Sequence, residues 1–216
     1  MKIKLVSFAL CPFVQRSVIL LQKKQIDFEL EYIDLEDPPE WFLRLSPTGK
    51  VPLMLVDGEV LFESSVILDF LDESYAPRFH PVDNLKRAQH KAWIEFSSSL
   101  LMSQYGMALA PDRDAFELKK REFETDLQRL AEPLEAGLFG ETGSFTLVDA
   151  AFAPLFMRLE YLAHYHREAR IEMPASVASW AERLLSLPSV QTSVVDDFSD
   201  RYKAFLLDKK SWMIRE

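Results

Sequence analysis

The chain has a single cysteine, and Cys11 stands where a thiol can do chemistry. It follows an apolar strand-like run, Lys4-Leu5-Val6-Ser7-Phe8, and opens the segment Cys11-Pro12-Phe13-Val14-Gln15-Arg16. Proline suits the first helical position: its fixed φ matches the helix, and the N–H it lacks has no partner there anyway. The spacing therefore predicts Cys11 at or beside a helix N-cap, where free N–H groups and the helix dipole stabilise negative charge. The thiolate is the nucleophilic form. A free thiol titrates near pH ~8.5 and such positions lower this to roughly 3.5–7.5, so a lowered pKa is the expectation. The competing reading is a buried, inert small hydrophobe. Cys11-Pro12-Phe13-Val14 lacks the second thiol of a C-x-x-C pair, so thiol chemistry here has to be monothiol.

Other chemistry-bearing residues are poorer candidates. His164 and His166 are two apart in a helical stretch and face different ways, so no metal site is expected. Ser97-Ser98-Ser99 lies in a helical pattern without a G-x-S-x-G context. Asp196-Asp197 reads as a solvated face. Trp41, Trp93, Trp180 and Trp212 read first as core or interface residues.

Two kinds of pattern would position Cys11. Up to about residue 80, short apolar runs alternate with short helical ones. Strands are expected at residues 4–8, 28–33, 52–56 and 60–62, with a tight turn at Asp57-Gly58 joining the last two. Helices are expected at 12–24, 39–45 and 64–75. The order is βαβαββα, with the first two strands parallel and the last two antiparallel. Beyond the linker the pattern is helical throughout. Asp83 or Asn84 can cap a long helix running towards Leu109, and Pro111-Asp112 ends it. A second helix is expected at 114–138, then a turn from Gly140 through Thr142 to Ser144. Thr146 and Asp149 form a capping box opening a helix that is apolar nearly all round, hence central to the core. Shorter helices are expected at 174–187 and 189–195. The division is a domain at residues 1–76, a linker at 77–83 and an all-helical domain at 84–216.

Composition bounds the reading. The 216 residues are 48% hydrophobic and 27% charged, an ordinary globular balance. The net charge of −9 argues against general affinity for nucleic acid or for anionic membranes. One cysteine forbids an internal disulfide, and the N-terminus lacks a secretory apolar region, so a cytoplasmic location is expected.

Four fragments in order, Cys11-Pro12-Phe13, Pro39-Glu40-Trp41-Phe42, Gly49-Lys50-Val51-Pro52 and Glu63-Ser64-Ser65, carry a resemblance. Together with Thr146-Leu147-Val148-Asp149-Ala150-Ala151, they make the chain similar to cytosolic glutathione transferases over its full length. The cysteine-type, omega-like subset, of bacterial type, is the best match. The resemblance implies a thioredoxin-like βαβαββα domain, an all-helical glutathione-transferase C-terminal domain and a homodimer. It also implies glutathione as co-substrate acting with a small electrophilic or disulfide substrate, no metal, and no nucleic acid or membrane partner.

It further implies roles. Val51-Pro52 would be cis, presenting the Val51 N–H and C=O to the glutathione cysteinyl backbone like an added strand, the alternative being a simple strand entry. Ser64, besides capping a helix, would hold the γ-glutamyl carboxylate, and Glu63 the γ-glutamyl ammonium. Lys50 either holds the glycyl carboxylate or is a solvated lysine, and Phe13 packs on the ligand or in the core. The segment Asp37-Pro38 departs from relatives that carry a lysine there. Cys11 would form a mixed disulfide with glutathione, resolved by a second glutathione, a cycle fitting thiol transfer, deglutathionylation and dehydroascorbate reduction. Phe8, Ala9, Met102, Tyr105 and Leu109 would line the acceptor pocket, with Trp212 reaching it. The rival is a non-catalytic regulatory module resembling the stringent starvation protein that associates with RNA polymerase. The segments Asp37-Pro38-Pro39 and Phe145–Asp149 resemble it as well.

Overall fold

The structure is a computed structural model that describes residues 1–141 and 143–214. Thr142 of the expected turn, and residues 215 and 216, lie outside the described residues. Four strands, β1 (Ile3–Ser7), β2 (Glu29–Tyr32), β3 (Leu53–Val56) and β4 (Glu59–Phe62), form one sheet in the order β2-β1-β3-β4. β1 pairs parallel with β2, Leu5 opposite Leu30, and antiparallel with β3, Leu5 opposite Met54. β3 and β4 pair antiparallel. Leu5 and Val6 of β1 have no exposed surface, as a central strand covered on both faces requires. Asp57 (φ 51°) and Gly58 (φ 96°) supply the two left-handed residues that a two-residue hairpin turn needs.

Helices α1 (Pro12–Lys23), α2 (Glu40–Leu45) and α3 (Ser64–Ser74) complete the βαβαββα order. Lys24 closes α1. Its buried ammonium pairs with buried Asp72 of α3 at 2.8 Å and donates to the carbonyls of Tyr75 and Pro77. Asp72 also accepts from the N–H groups of Phe79 and His80, which pins the following segment to α1 and α3.

The helical remainder begins with α4 (Asn84–Ala108), capped by Asp83, whose carboxylate accepts the Lys86 N–H at 2.8 Å. The single helix expected at 114–138 is two: α5 (Arg113–Gln128) and α6 (Ala131–Glu135). Pro133 accounts for the break. Deep in a continuous helix its ring would clash with the carbonyl four residues back, whereas in the first turn of α6 it is tolerated. α7 (Leu147–Tyr165) carries the expected capping box, with the Thr146 N–H donating to Asp149 at 2.7 Å. Asp149 accepts three more bonds, from the Thr146 hydroxyl, Trp180 Nε1 and Arg183 Nη2, each at 2.8 Å.

α7 is buried over most of its length and packs against α1 and α4, so the core runs unbroken from the sheet-bearing half into the helical half. α8 (Ala175–Leu185) is shorter than expected. α9 (Pro188–Gln191) starts earlier and ends sooner than residues 189–195, because Pro188 takes the first helical position. α10 (Phe198–Asp208) was not foreseen, although Phe198, Tyr202, Phe205 and Leu206 carry helical spacing. Among the described residues no helix is long and apolar enough to cross a membrane.

Candidate active site

After β1 the chain turns sharply, with the Cys11 N–H donating to the Phe8 carbonyl at 3.1 Å. Cys11 is the N-cap of α1 in extended conformation (φ −71°, ψ 114°), Pro12 is the first helical residue, and the Cys11 carbonyl accepts the Gln15 N–H. The thiol makes no capping hydrogen bond of ordinary geometry, but the N–H groups of Val14 and Phe13 face it. Cys11 is only 6% exposed. The expected lowering of its pKa is not observed. Burial pushes the thiol up, and the opposing pull of Val14, Phe13, Arg158 and Arg16 does not outweigh it.

After the Val14 and Phe13 N–H groups, two buried guanidiniums supply the remainder of that pull. Arg16 donates to the Ala151 carbonyl (3.1 Å), Ser64 Oγ (3.3 Å), Ser98 Oγ (2.9 Å) and Ser97 Oγ (2.8 Å). It thus joins α1 to the first residue of α3, to α4 and to α7, and gives the Ser97–Ser98 pair a structural task. Arg158 donates to Gln15 Oε1 (2.6 Å), the Pro154 carbonyl (2.8 Å) and the Leu10 carbonyl (2.8 Å). Burial lowers both pKa values to about 10, so both arginines stay charged at neutral pH. Among the described residues neither forms an ion pair, and every hydrogen-bond acceptor of the two is neutral.

A cleft of about 340 Å³ opens beside Cys11. It brings together Cys11, Phe13, Lys50, Val51, Phe8, Met102 and Tyr105. The Val51-Pro52 bond is cis, and the register of β3 begins only at Leu53, so Val51 stands beyond the paired part of the sheet. Pro52 is buried behind it, and Lys50 is exposed at the rim. Glu63 and Ser64 do not line this cleft but meet at the N-terminus of α3. Ser64 is buried on the Arg16 guanidinium. Glu63 is its exposed N-cap, held at φ 70°, a region that costs a non-glycine residue free energy and recurs at functional sites.

Ala9 and Leu109 do not line the cleft. Ala9 sits at the corner of the turn closed by Cys11, and Leu109 lies past the last residue of α4. Trp212 is also elsewhere. Its N–H donates to the Ala110 carbonyl, and its ring packs on Phe116 (5.1 Å) and His166 (4.8 Å). Tyr202 and Phe205 of α10 line the cleft instead, and Leu35, Leu101, Gln104 and Arg158 are also among the lining residues. Among the described residues no group of three or more His, Cys, Asp or Glu side chains is placed to hold a metal ion.

The family model for the glutathione S-transferase N-terminal domain matches residues 10–74. The chain is 31% identical over 186 residues to glutathione S-transferase DHAR2 of Arabidopsis thaliana, covering 85% of this chain and 83% of that one. It is 28% identical over 212 residues to glutathione S-transferase omega-1 of Sus scrofa, covering 93% and 86%. Glutathione transferase Omega 3C of Trametes versicolor superposes with a TM-score of 0.78 at 26% identity, covering 91% of this chain and 90% of that one. These relatives favour the enzyme over the regulatory module. A βαβαββα half that ends β1 on a helix-capping cysteine, an all-helical half behind it and relatives of this kind place the chain in the glutathione S-transferase family, as an omega-like enzyme.

Proposed function

We propose that Cys11 is the nucleophile of a glutathione-dependent thiol transferase. The carrying observation is that Cys11 caps α1 at a cleft that the Gly49-Lys50-Val51 segment also lines. Glutathione would lie along that segment. Its cysteinyl backbone would pair with the N–H and C=O of Val51 as an added strand, with Pro52 fixing the loop. Its γ-glutamyl carboxylate would rest on Ser64 at the α3 N-terminus, and its ammonium would meet Glu63. Lys50 would face the glycyl carboxylate, and Phe13 would pack against the tripeptide.

The chemistry follows from one thiol. The Cys11 thiolate attacks the glutathione sulfur of a mixed disulfide. The Cys11–glutathione bond forms, the old S–S bond breaks, and the acceptor thiolate leaves and takes a proton. The thiolate of a second glutathione then attacks the enzyme-bound glutathione, giving oxidised glutathione and free Cys11. Burial keeps the thiolate scarce at neutral pH, but a thiolate of higher pKa is the stronger nucleophile.

The division into domains at 1–76 and 84–216, with linker 77–83, is supported by the Lys24–Asp72 anchor, which fastens the backbone of Tyr75, Pro77, Phe79 and His80. A cytoplasmic homodimer, with no nucleic acid or membrane partner, completes the proposal.

The test is intact mass after incubation with oxidised glutathione, wild type against Cys11→Ser. The expected result is a glutathione adduct on the wild type alone, removed by reduced glutathione. No adduct from mildly acidic to alkaline pH sinks the thiol mechanism.

A further inference from the structure

The wall of the cleft holds one buried donor whose proton is not taken. Gln104 of α4 and Tyr202 of α10 both line the cleft and are 2% and 5% exposed. The Gln104 amide donates to the Tyr202 hydroxyl at 3.1 Å, so the phenol oxygen is the acceptor in that bond. Among the described residues no acceptor takes the phenol's own proton. The ring is fixed as well. It stacks on Phe198 at 5.7 Å, and the Arg158 guanidinium lies over the Phe198 ring at 5.2 Å. A buried donor without an acceptor costs free energy, and one held in place at a cleft points to a partner that arrives with the reaction.

The first exchange step makes such a partner. When Cys11 attacks the glutathione sulfur, the electron pair of the broken S–S bond stays on the departing sulfur. Val51, Ser64 and Glu63, the proposed holders of glutathione, all belong to the sheet-bearing half, so the other half of the disulfide departs on the helical side, where Tyr202 stands. Two further donors line the cleft, Lys50 and the Tyr105 hydroxyl. Lys50 is exposed and Tyr105 is 44% exposed, so water already serves both, and a bond from either to a thiolate replaces one hydrogen bond by another. Tyr202 is aimed before the reaction begins, which is what makes a donor effective where charge develops. Burial pushes its phenol up, so it keeps its proton at neutral pH.

We propose that Tyr202 is a catalytic residue of thiol transfer, its O–H donating a hydrogen bond to the thiolate that departs as the Cys11–glutathione bond forms. Gln104 is the positioning residue that aims it. The proposal rests on Cys11 as the nucleophile. The Cys11 thiolate supplies the electron pair of the new S–S bond, and the old pair leaves with the departing sulfur. The phenol retains its proton, and the released thiolate takes one from water.

The experiment follows a single turnover, without added glutathione, for mixed disulfides of glutathione with thiols of decreasing acidity: 4-nitrothiophenol, thiophenol and benzyl thiol. Thiol release and the glutathione adduct on Cys11 are both measured. A nitrothiophenolate spreads its own charge and needs the donor least, whereas benzyl thiolate needs it most. Tyr202→Phe is expected to slow the benzyl compound about ten- to hundredfold, the worth of one hydrogen bond to a charged group, and the nitro compound hardly at all. Gln104→Met steepens the dependence on thiol acidity in the same sense but less, and it decides the matter if Tyr202→Phe does not fold. A drop of equal size across the series, or none, shows a structural role or no role and overturns the assignment while leaving the Cys11 mechanism standing. No adduct on wild-type Cys11 with any of the three overturns both.

Discussion

Replacing Arg158 with methionine tests whether the buried guanidinium both holds and charges the Cys11 turn. The side chain makes three hydrogen bonds: to Gln15 Oε1, Pro154 O and Leu10 O. Gln15 and Leu10 flank Cys11, and Leu10 is its immediate neighbour. Methionine keeps much of the apolar stem but leaves those two acceptors buried without a donor, at about 1–3 kcal/mol each. Relief of one desolvated charge offsets part of this. A net loss of about 3 kcal/mol corresponds to a fall in Tm of roughly 6–12 °C for a chain of this size. The Arg158 charge also pulls the thiol pKa down, so the variant's Cys11 pKa moves further up than the wild type's, which burial already raises. Iodoacetamide labelling, which reports thiolate, rises with pH in the wild type, and the variant's whole profile lies at higher pH. Thermal melting and labelling against pH are measured on the same samples. A Tm within about 2 °C of wild type, together with an unmoved labelling profile, refutes the account of this arginine.

Two further outcomes are expected. Ser64→Ala removes a hydroxyl proposed to bond a charged carboxylate, a contact of about 1.5–3 kcal/mol, so KM for glutathione rises roughly ten- to hundredfold with kcat little altered; an unchanged KM places the γ-glutamyl carboxylate elsewhere. His90 is 2% exposed, its Nε2 lies 2.7 Å from the Leu138 carbonyl, and its Nδ1 has no partner, so burial lowers its pKa from 6.5. The unfolded chain therefore binds the proton more readily, and the stability His90 contributes is present above pH 6.5 and lost as pH falls towards its folded-state pKa. His90→Gln flattens the fall of Tm between about pH 7 and pH 5, and an equally steep fall in that variant removes His90 as the cause.

What could be read from the sequence was local. Cys11 before Pro12, Thr146 three residues before Asp149, and Asp57-Gly58 between two apolar runs each fix a backbone conformation through neighbours in the chain, and the structure has all three. What escaped was set by distant partners. Arg16 and Arg158 look like surface residues by type, and only tertiary packing supplies their acceptors on Ala151, Ser97, Gln15 and Leu10. One signal was available: Arg158 interrupts a helix apolar on nearly every side, and a charge there needs a buried partner. The same limit explains Trp212. The resemblance has it reaching the pocket, but the Ala110 carbonyl and the Phe116 ring fix it elsewhere, leaving Tyr202 and Phe205 to form that wall. The direction of the thiol pKa has a related origin. Capping by N–H groups is visible in Cys-Pro, whereas the burial that outweighs it depends on the whole fold.

Burial acts on this site in two opposed ways. It raises the Cys11 pKa by disfavouring the thiolate, and it also weakens the screening of Arg16 and Arg158, so their positive charge acts on Cys11 more strongly than it would in water. Burying two guanidiniums without an ion pair is costly, and a core built for stability alone would pair or replace them. Their hydrogen-bond acceptors are neutral and Glu95 acts on Arg16 without forming an ion pair, so positive charge is left where negative charge has to form. That is the Cys11 thiolate during attack, and, through the Arg16 contact with Ser64, the proposed seat of the γ-glutamyl carboxylate. On this account exchanging Arg16 or Arg158 for a neutral residue harms reactivity even in a variant whose fold has been restored by compensating substitutions, because hydrophobic packing can replace the stability but not the charge.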